Sequence, residues 1–285
     1  MPRRLVDWKF KKQVLHLGER TLIVGIINLT PDSPADHGRY QEPELAFARA
    51  VEMAEEGADI VEVGAQSWRV GASRISEAEE KRRLIPVLKR LRGRLGVPVC
   101  VETCNAAVAG QALEMGVEIL KDPTGLIVEP AMAKLALQYD TGLVVQHMHG
   151  TPDQWARQPQ IKDPAGASVA ELSAAAGRAI SAGVPRDRIV IDPGFGLGKR
   201  KEQNTELLSR LDRIAALGFP LQVSPSGKPF MTSPQADTTA SLAVAVAVAS
   251  VLAGAHIVRT PDVAGIRAAV LLADELMRGV WHAGE

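Results

Sequence analysis

Leu22-Ile23-Val24-Gly25-Ile26-Ile27-Asn28-Leu29-Thr30-Pro31-Asp32-Ser33 runs without a polar side chain as far as Asn28 and then turns into a loop. A parallel strand buried on both faces reads as such a continuous apolar run. The same figure recurs along the chain, predicting strands at 22–28, 60–64, 97–103, 118–122, 142–147, 189–192, 220–224 and 256–259. The intervals carry apolar residues at three- and four-residue spacing, predicting helices at 44–56, 76–92, 106–115, 130–138, 165–182, 202–217, 238–252 and 262–277. The stretch at 238–252 also alternates like a strand at Val244, Val246 and Val248, but its length and place between two strands favour a helix. Gly57-Ala58-Asp59-Ile60-Val61, Gly116-Val117-Glu118-Ile119-Leu120 and Gly254-Ala255-His256-Ile257-Val258 repeat a helix stop followed by a strand start. Eight βα units define an α/β fold, the (β/α)8 TIM barrel, whose chemistry sits at the carboxyl ends of the strands.

The chain of 285 residues is 46% hydrophobic and 4% aromatic, enough to fill one such barrel, so a single domain over 1–285 is expected. Residues 1–20 form an extension, and the alternation at 8–20 around Gly18 predicts a hairpin plugging the amino-terminal end of the barrel. Lys and Arg total 33, as do Asp and Glu, and the two signs are interspersed. That balance leaves no basic footprint for nucleic acid or membrane and favours a small-molecule partner. The apolar stretch Ala240 to Ala255 falls short of the ~20 residues of a membrane span. Cys100 and Cys104 lack the spacing of a redox or zinc pair and read as buried structural thiols. With no apolar run after Met1-Pro2-Arg3-Arg4, a cytoplasmic location is expected.

The polar residues at the predicted strand ends are Asn28, Gln66, Glu102, Lys121, Asp122, His147, Asp192, Ser226, Lys228 and Arg259. Carboxylates among them suit the donor edge of a nitrogen heterocycle, and the cations suit an anion such as phosphate. Asn28 serves equally to cap loop backbone or to help hold a hydrated Mg2+ carried by phosphates. Asp192-Pro193-Gly194-Phe195-Gly196-Leu197-Gly198-Lys199 sets a carboxylate before three glycines, which let backbone approach a flat ligand. Its spacing is neither that of a dinucleotide fingerprint nor that of a P-loop.

Four segments in order, 25–33, 64–72, 192–199 and Asn204-Thr205-Glu206-Leu207-Leu208, resemble the successive motifs of the dihydropteroate synthase family. The resemblance spans 22–277 and implies a homodimeric barrel. It also implies a transferase that joins a hydroxymethyl-dihydropterin pyrophosphate to p-aminobenzoate and releases pyrophosphate, with Mg2+ as cofactor. Carried over position by position, it implies catalytic roles for Asp36, Arg69, Lys228 and Arg259, with Asp36 and Arg69 closing over the reaction and Arg259 anchoring pyrophosphate. It implies pterin contacts from Glu102, Lys121, Met148, Asp192 and Ser226, with Lys228 also on the ring, and a metal contact from Asn28.

The departures from the family pattern bear on the substrate. Val101-Glu102-Thr103 stands for Val-Asp-Thr, Lys121-Asp122 for Asn-Asp, and Arg259-Thr260-Pro261-Asp262 for Arg-Val-His-Asp. Glu102 and Lys121 are placed to pair with each other. Ser226-Gly227-Lys228-Pro229 stands for Ser-Arg-Lys-Ser, and Pro34, Trp68 and Val70 replace Phe, Thr and Pro of the two loops. Those loop changes fall on the p-aminobenzoate subsite and suggest an altered nucleophile. Two other readings compete: a paralogue that binds a pterin or another small ligand without the standard reaction, and a barrel that passes methyl groups from reduced folates. The loop at 28–38 and the retained Arg259 fit pyrophosphate departure, which methyl transfer does not need.

Overall fold

The computed structural model describes residues 3–32, 38–225 and 239–279. After a hairpin, β1 (Val6–Phe10) and β2 (Gln13–Leu17), come eight strands: β3 (Leu22–Asn28), β4 (Ile60–Gly64), β5 (Val99–Glu102), β6 (Ile119–Asp122), β7 (Gly142–Gln146), β8 (Ile189–Asp192), β9 (Gln222–Val223) and β10 (Ile257–Thr260). They form one parallel sheet in the order β8-β7-β6-β5-β4-β3-β10-β9. A parallel bridge between Ile191 and Leu221, the residue just before β9, joins β8 to the β9 end of the sheet and closes the barrel. Around it lie α1 (Pro43–Glu55), α2 (Glu77–Leu91), α3 (Ala106–Glu114), α4 (Ala131–Gln138), α5 (Pro164–Ser181), α6 (Lys201–Ser209), α7 (Leu211–Ala215), α8 (Thr239–Leu252) and α9 (Val263–Arg278). No helix among the described residues is long and apolar enough to cross a membrane.

Local chemistry fixes several helix ends. Ser76, Asn105, Asp163 and Asp262 each accept a hydrogen bond from a backbone N–H of the following first turn, opening α2, α3, α5 and α9. The predicted helix at 202–217 is broken at Arg210, whose φ of −119° and ψ of 24° separate α6 from α7. The stretch at 238–252 is helical, as its length requires, and its alternating valines do not pair in the sheet.

Successive strand residues face opposite sides, and the barrel uses both. Outward residues such as Ile23, Val61, Val63, Val101, Leu120, Val145 and Ile191 pack against the helices in one cluster. Inward residues Leu22, Val24, Ile60, Cys100, Ile119, Val144, Val190 and Ile257 form a second cluster with Trp8, Phe10 and Leu17 of the hairpin. The hairpin therefore plugs the amino-terminal end, with Trp8 Nε1 donating to the Arg188 carbonyl at 2.9 Å. Its turn lies at Lys11-Lys12, where Lys11 takes φ 48°, and not at Gly18. The Phe10–Gln13 register sets Trp8 opposite Leu15, which alternation alone left open. Both thiols are free and buried, and burial pushes the Cys104 thiol up to about 12, so neither is a ready nucleophile.

Candidate active site at the carboxyl-terminal mouth

Two residues further along six of the strands, the inward position changes from apolar to polar. Ile60 is followed by Glu62, Cys100 by Glu102, Ile119 by Lys121, Val144 by Gln146, Val190 by Asp192 and Ile257 by Arg259. The side-chain period of a strand thus stacks a polar layer on the apolar one, at the end where a barrel binds ligands. Glu62, Lys121 and Asp192 are fully buried there and Glu102 is 5% exposed.

These groups form one charge cluster. Arg259 reaches Glu62 with Nε at 2.7 Å and with a terminal nitrogen at 2.6 Å, and the same nitrogen lies 3.3 Å from Glu102. Lys121 Nζ lies 3.3 Å from Glu102, 3.5 Å from Asp192 and 3.9 Å from Glu62. The pairing of Glu102 with Lys121 follows from their register on adjacent strands. Burial and Arg259 push the Lys121 ammonium toward neutrality, but Glu62, Asp192 and Glu102 outweigh them and hold its pKa above the ordinary value. Burial likewise opposes ionisation of Asp192, yet Lys121 and the Gly194 N–H keep its carboxyl below the usual range. Burial disfavours the Arg259 charge, and Glu62 and Glu102 more than restore it.

Asp192 is fixed from several sides. Its Oδ1 accepts from the Gly194 N–H at 2.8 Å, and Oδ2 accepts from Gln222 Nε2 at 3.2 Å and Ser224 Oγ at 3.3 Å. The glycine loop behind it is held just as firmly. Lys199 Nζ donates to the carbonyls of Gly194 and Leu197 at 2.9 and 3.2 Å, while Asn204 accepts from the Gly196 N–H and donates to the Lys199 carbonyl. A Cβ on Gly194 would sit 1.9 Å from the His147 carbonyl oxygen, and φ there is +62°, so only glycine fits.

Other rim residues divide between support and access. Gln66 ties the loop after β4, donating to the Ser67 and Ser73 carbonyls and accepting from the Ile75 N–H. Asp122 accepts from the Thr124 N–H and hydroxyl at 2.7 Å, and burial raises its carboxyl to about 6 against those bonds. His147 packs below the rim, with Nδ1 3.0 Å from Ser168 Oγ and Nε2 3.0 Å from Glu171. Burial, reinforced by Lys199, lowers its pKa to about 4 despite Glu171. Met148, next in sequence, is half-buried past the end of β7, and Asn28 ends β3 partly exposed. Arg69 is paired with Asp32 of the first loop at 2.9 Å, and Ser67 Oγ donates to the same carboxylate at 3.0 Å. Asp36, Ser226 and Lys228 lie outside the described residues.

Sequence reasoning passed over Glu62, Asp32, Gln146, Gln222 and Ser224. Glu62 carried a signal: a carboxylate in the middle of Ile60-Val61-Glu62-Val63-Gly64 is buried on both sides and must find a cation. Asp32 sits inside the quoted motif, but nothing in one sequence says that Arg69 folds onto it.

A closed parallel barrel whose mouth is lined by buried carboxylates and cations defines a small-molecule-binding enzyme of the TIM-barrel class. The pterin binding enzyme family matches residues 24–261, and the chain belongs to it. A Synechocystis dihydropteroate synthase is 35% identical over 278 residues, 96% of this chain and 93% of that protein. A probable bifunctional folylpolyglutamate synthase/dihydropteroate synthase of Halobacterium salinarum is 42% identical over 92% of this chain, which spans only 32% of that longer protein. The crystal structure of the Thermus thermophilus dihydropteroate synthase in complex with 4-aminobenzoate superposes with a TM-score of 0.83 at 38% identity, covering 96% of this chain and all of that one.

Proposed function

We propose that the protein is a dihydropteroate synthase-type transferase that condenses a hydroxymethyl-dihydropterin pyrophosphate with an arylamine. The amine nitrogen attacks the methylene carbon next to the ring; a C–N bond forms as the C–O bond breaks, the amine loses a proton and pyrophosphate leaves with the bonding electrons. The observation that carries this reading is Asp192, an ionised carboxylate fixed at the end of β8 beside the buried Lys121 and close to the partly buried Arg259. A carboxylate of that kind accepts paired N–H donors from a guanidine-like ring edge. Cations nearby offset the charge that builds on departing pyrophosphate.

Mg2+ fits as an ion carried by the substrate rather than as a resident one. No group of three or more His, Cys, Asp or Glu side chains suited to a metal occurs among the described residues, whereas Asn28 offers one hard amide oxygen at the end of β3. Mg2+ keeps most of its waters and binds through few protein oxygens plus substrate phosphates. Bound there, it would neutralise pyrophosphate charge. Asp36, Lys228, Met148 and Ser226 complete the ring and loop contacts in this reading, and Arg69 closes over the mouth from its hold on Asp32.

The test is pyrophosphate release from the pterin pyrophosphate, with p-aminobenzoate, with other arylamines and with none. Amine-dependent release supports the transferase; absence of release with every amine, despite ring binding, favours the non-catalytic paralogue.

A further inference from the structure

The two cations of the mouth, buried Lys121 and partly buried Arg259, share their counterions. Arg259 is paired with Glu62 and Glu102, and Lys121 lies against the same two carboxylates while also reaching Asp192. Glu62 and Glu102 therefore bridge the cations, and Lys121 links that bridge to the carboxylate assigned to the ring. The Lys121 ammonium is fully buried, yet it makes no hydrogen bond among the described residues. Charge-assisted N–H···O bonds run about 2.7–2.9 Å. Contacts of 3.3, 3.5 and 3.9 Å hold the ammonium between the carboxylates without committing its protons to any of them.

Asp192 Oδ2 already accepts from Gln222 and Ser224. A ring that brings N–H donors to this oxygen must take the approach now held by Lys121. The unbranched lysine stem has a nearby alternative, because Glu102 and Glu62 are already within ion-pair reach. Arg259 cannot leave those carboxylates as easily, since a buried carboxylate stripped of its cation is strongly destabilising.

We propose that Lys121 is a positioning residue that couples the two ends of the substrate. A ring docking on Asp192 shifts the ammonium toward Glu102 and Glu62, and the relieved carboxylates release Arg259 to the anion that the ring carries. An anion arriving alone must part Arg259 from Glu62 with no replacement cation, and a ring arriving alone must evict Lys121. Each event lowers the cost of the other, and the linkage is reciprocal. The mouth thereby selects a molecule that carries ring and pyrophosphate together over either fragment. This coupling rests on the pterin pyrophosphate reading above.

Calorimetry on the intact protein with Mg2+ tests it, using 6-hydroxymethylpterin and inorganic pyrophosphate, each titrated alone and against saturating amounts of the other. Each fragment is expected to tighten the other by roughly fivefold or more, within the usual range of coupling between sites. Lys121→Asn removes the travelling charge and is expected to bring the factor close to one while tightening the bare pterin. Glu102→Gln, which keeps the shape of the site, is expected to reduce the factor and gives a second reading should Lys121→Asn fold poorly. Independent binding in the wild type overturns the coupling while sparing the pterin reading, as does an unchanged factor in both variants. Failure of the wild type to bind either fragment removes the pterin reading and the coupling with it.

Discussion

At the scale of single residues, Arg259 and His147 show how differently two titratable groups serve the same mouth. Losing one charged hydrogen bond costs about 1.5–3 kcal/mol, roughly ten- to 150-fold in affinity. Arg259→Ala is therefore expected to weaken a pterin pyrophosphate far more than a bare pterin; equal weakening of both by calorimetry takes Arg259 out of the phosphate role. His147 supports the fold. Its pKa is lowered to about 4 from 6.5, so between those values the unfolded chain binds a proton that the native state does not. The stability of the neutral imidazole is complete above pH 6.5 and drains away as pH falls toward 4, about 3 kcal/mol in all. Urea unfolding at pH 7 and pH 4.5 should show the wild type losing more stability than His147→Gln, and parallel losses would contradict it. Asp192, Lys121 and Arg259 were legible because each is a charged residue ending an apolar run. His147 shares that sequence signature, yet burial and its contacts with Ser168 and Glu171 give it a supporting role that the pattern alone does not reveal.

At the scale of elements, the sequence signals were strong wherever burial dictates the residue type. Each of the eight expected strands is present, because a strand covered on both faces leaves almost no freedom for polar side chains. Edges and breaks were harder to see. β9 shortens to Gln222–Val223, and the helical period runs through Arg210 unchanged although one non-helical residue there splits α6 from α7. The hairpin turn fell at Lys11-Lys12 because a residue other than glycine adopts the left-handed conformation, a choice made by the pairing of Trp8 and Phe10 with the barrel floor. The loop after β8 was legible in composition, and the structure supplies its cause: Lys199 and Asn204 lace it from behind. Gly194→Ala collides with the His147 carbonyl at a positive φ, and it should lower the melting temperature and abolish ring binding together. A variant that melts like the wild type and still binds pterin would mean that the loop relaxes freely.

At the scale of the molecule, α8 and α9 leave Leu252, Leu271, Leu272 and Leu276 exposed at 43%, 43%, 57% and 51%, an apolar face on which we propose that a second copy of the chain packs. Light scattering at micromolar concentration should return twice the mass of 30.5 kDa. The two halves of the proposed reaction rest on unequal foundations. The ring and anion half keeps Asp192, Lys228 and Arg259, whereas Gly227, Pro229 and Pro34 replace an arginine, a serine and a phenylalanine of the family pattern. Proline has no backbone N–H to donate. Trp68 adds a large ring to the loop after β4, and its buried indole N–H has no hydrogen-bond partner among the described residues. Leaving an ionised carboxylate without its donors costs on the order of a few kcal/mol. Slow use of p-aminobenzoate and weak inhibition by sulfonamides are therefore expected, alongside retained binding of the pterin pyrophosphate. Gly227→Arg combined with Pro229→Ser should recover part of the condensation rate if the pterin half is intact. Efficient condensation by the wild type, blocked by micromolar sulfonamide, would falsify the altered-nucleophile reading, because the benzoate would then have found its donors elsewhere in the mouth.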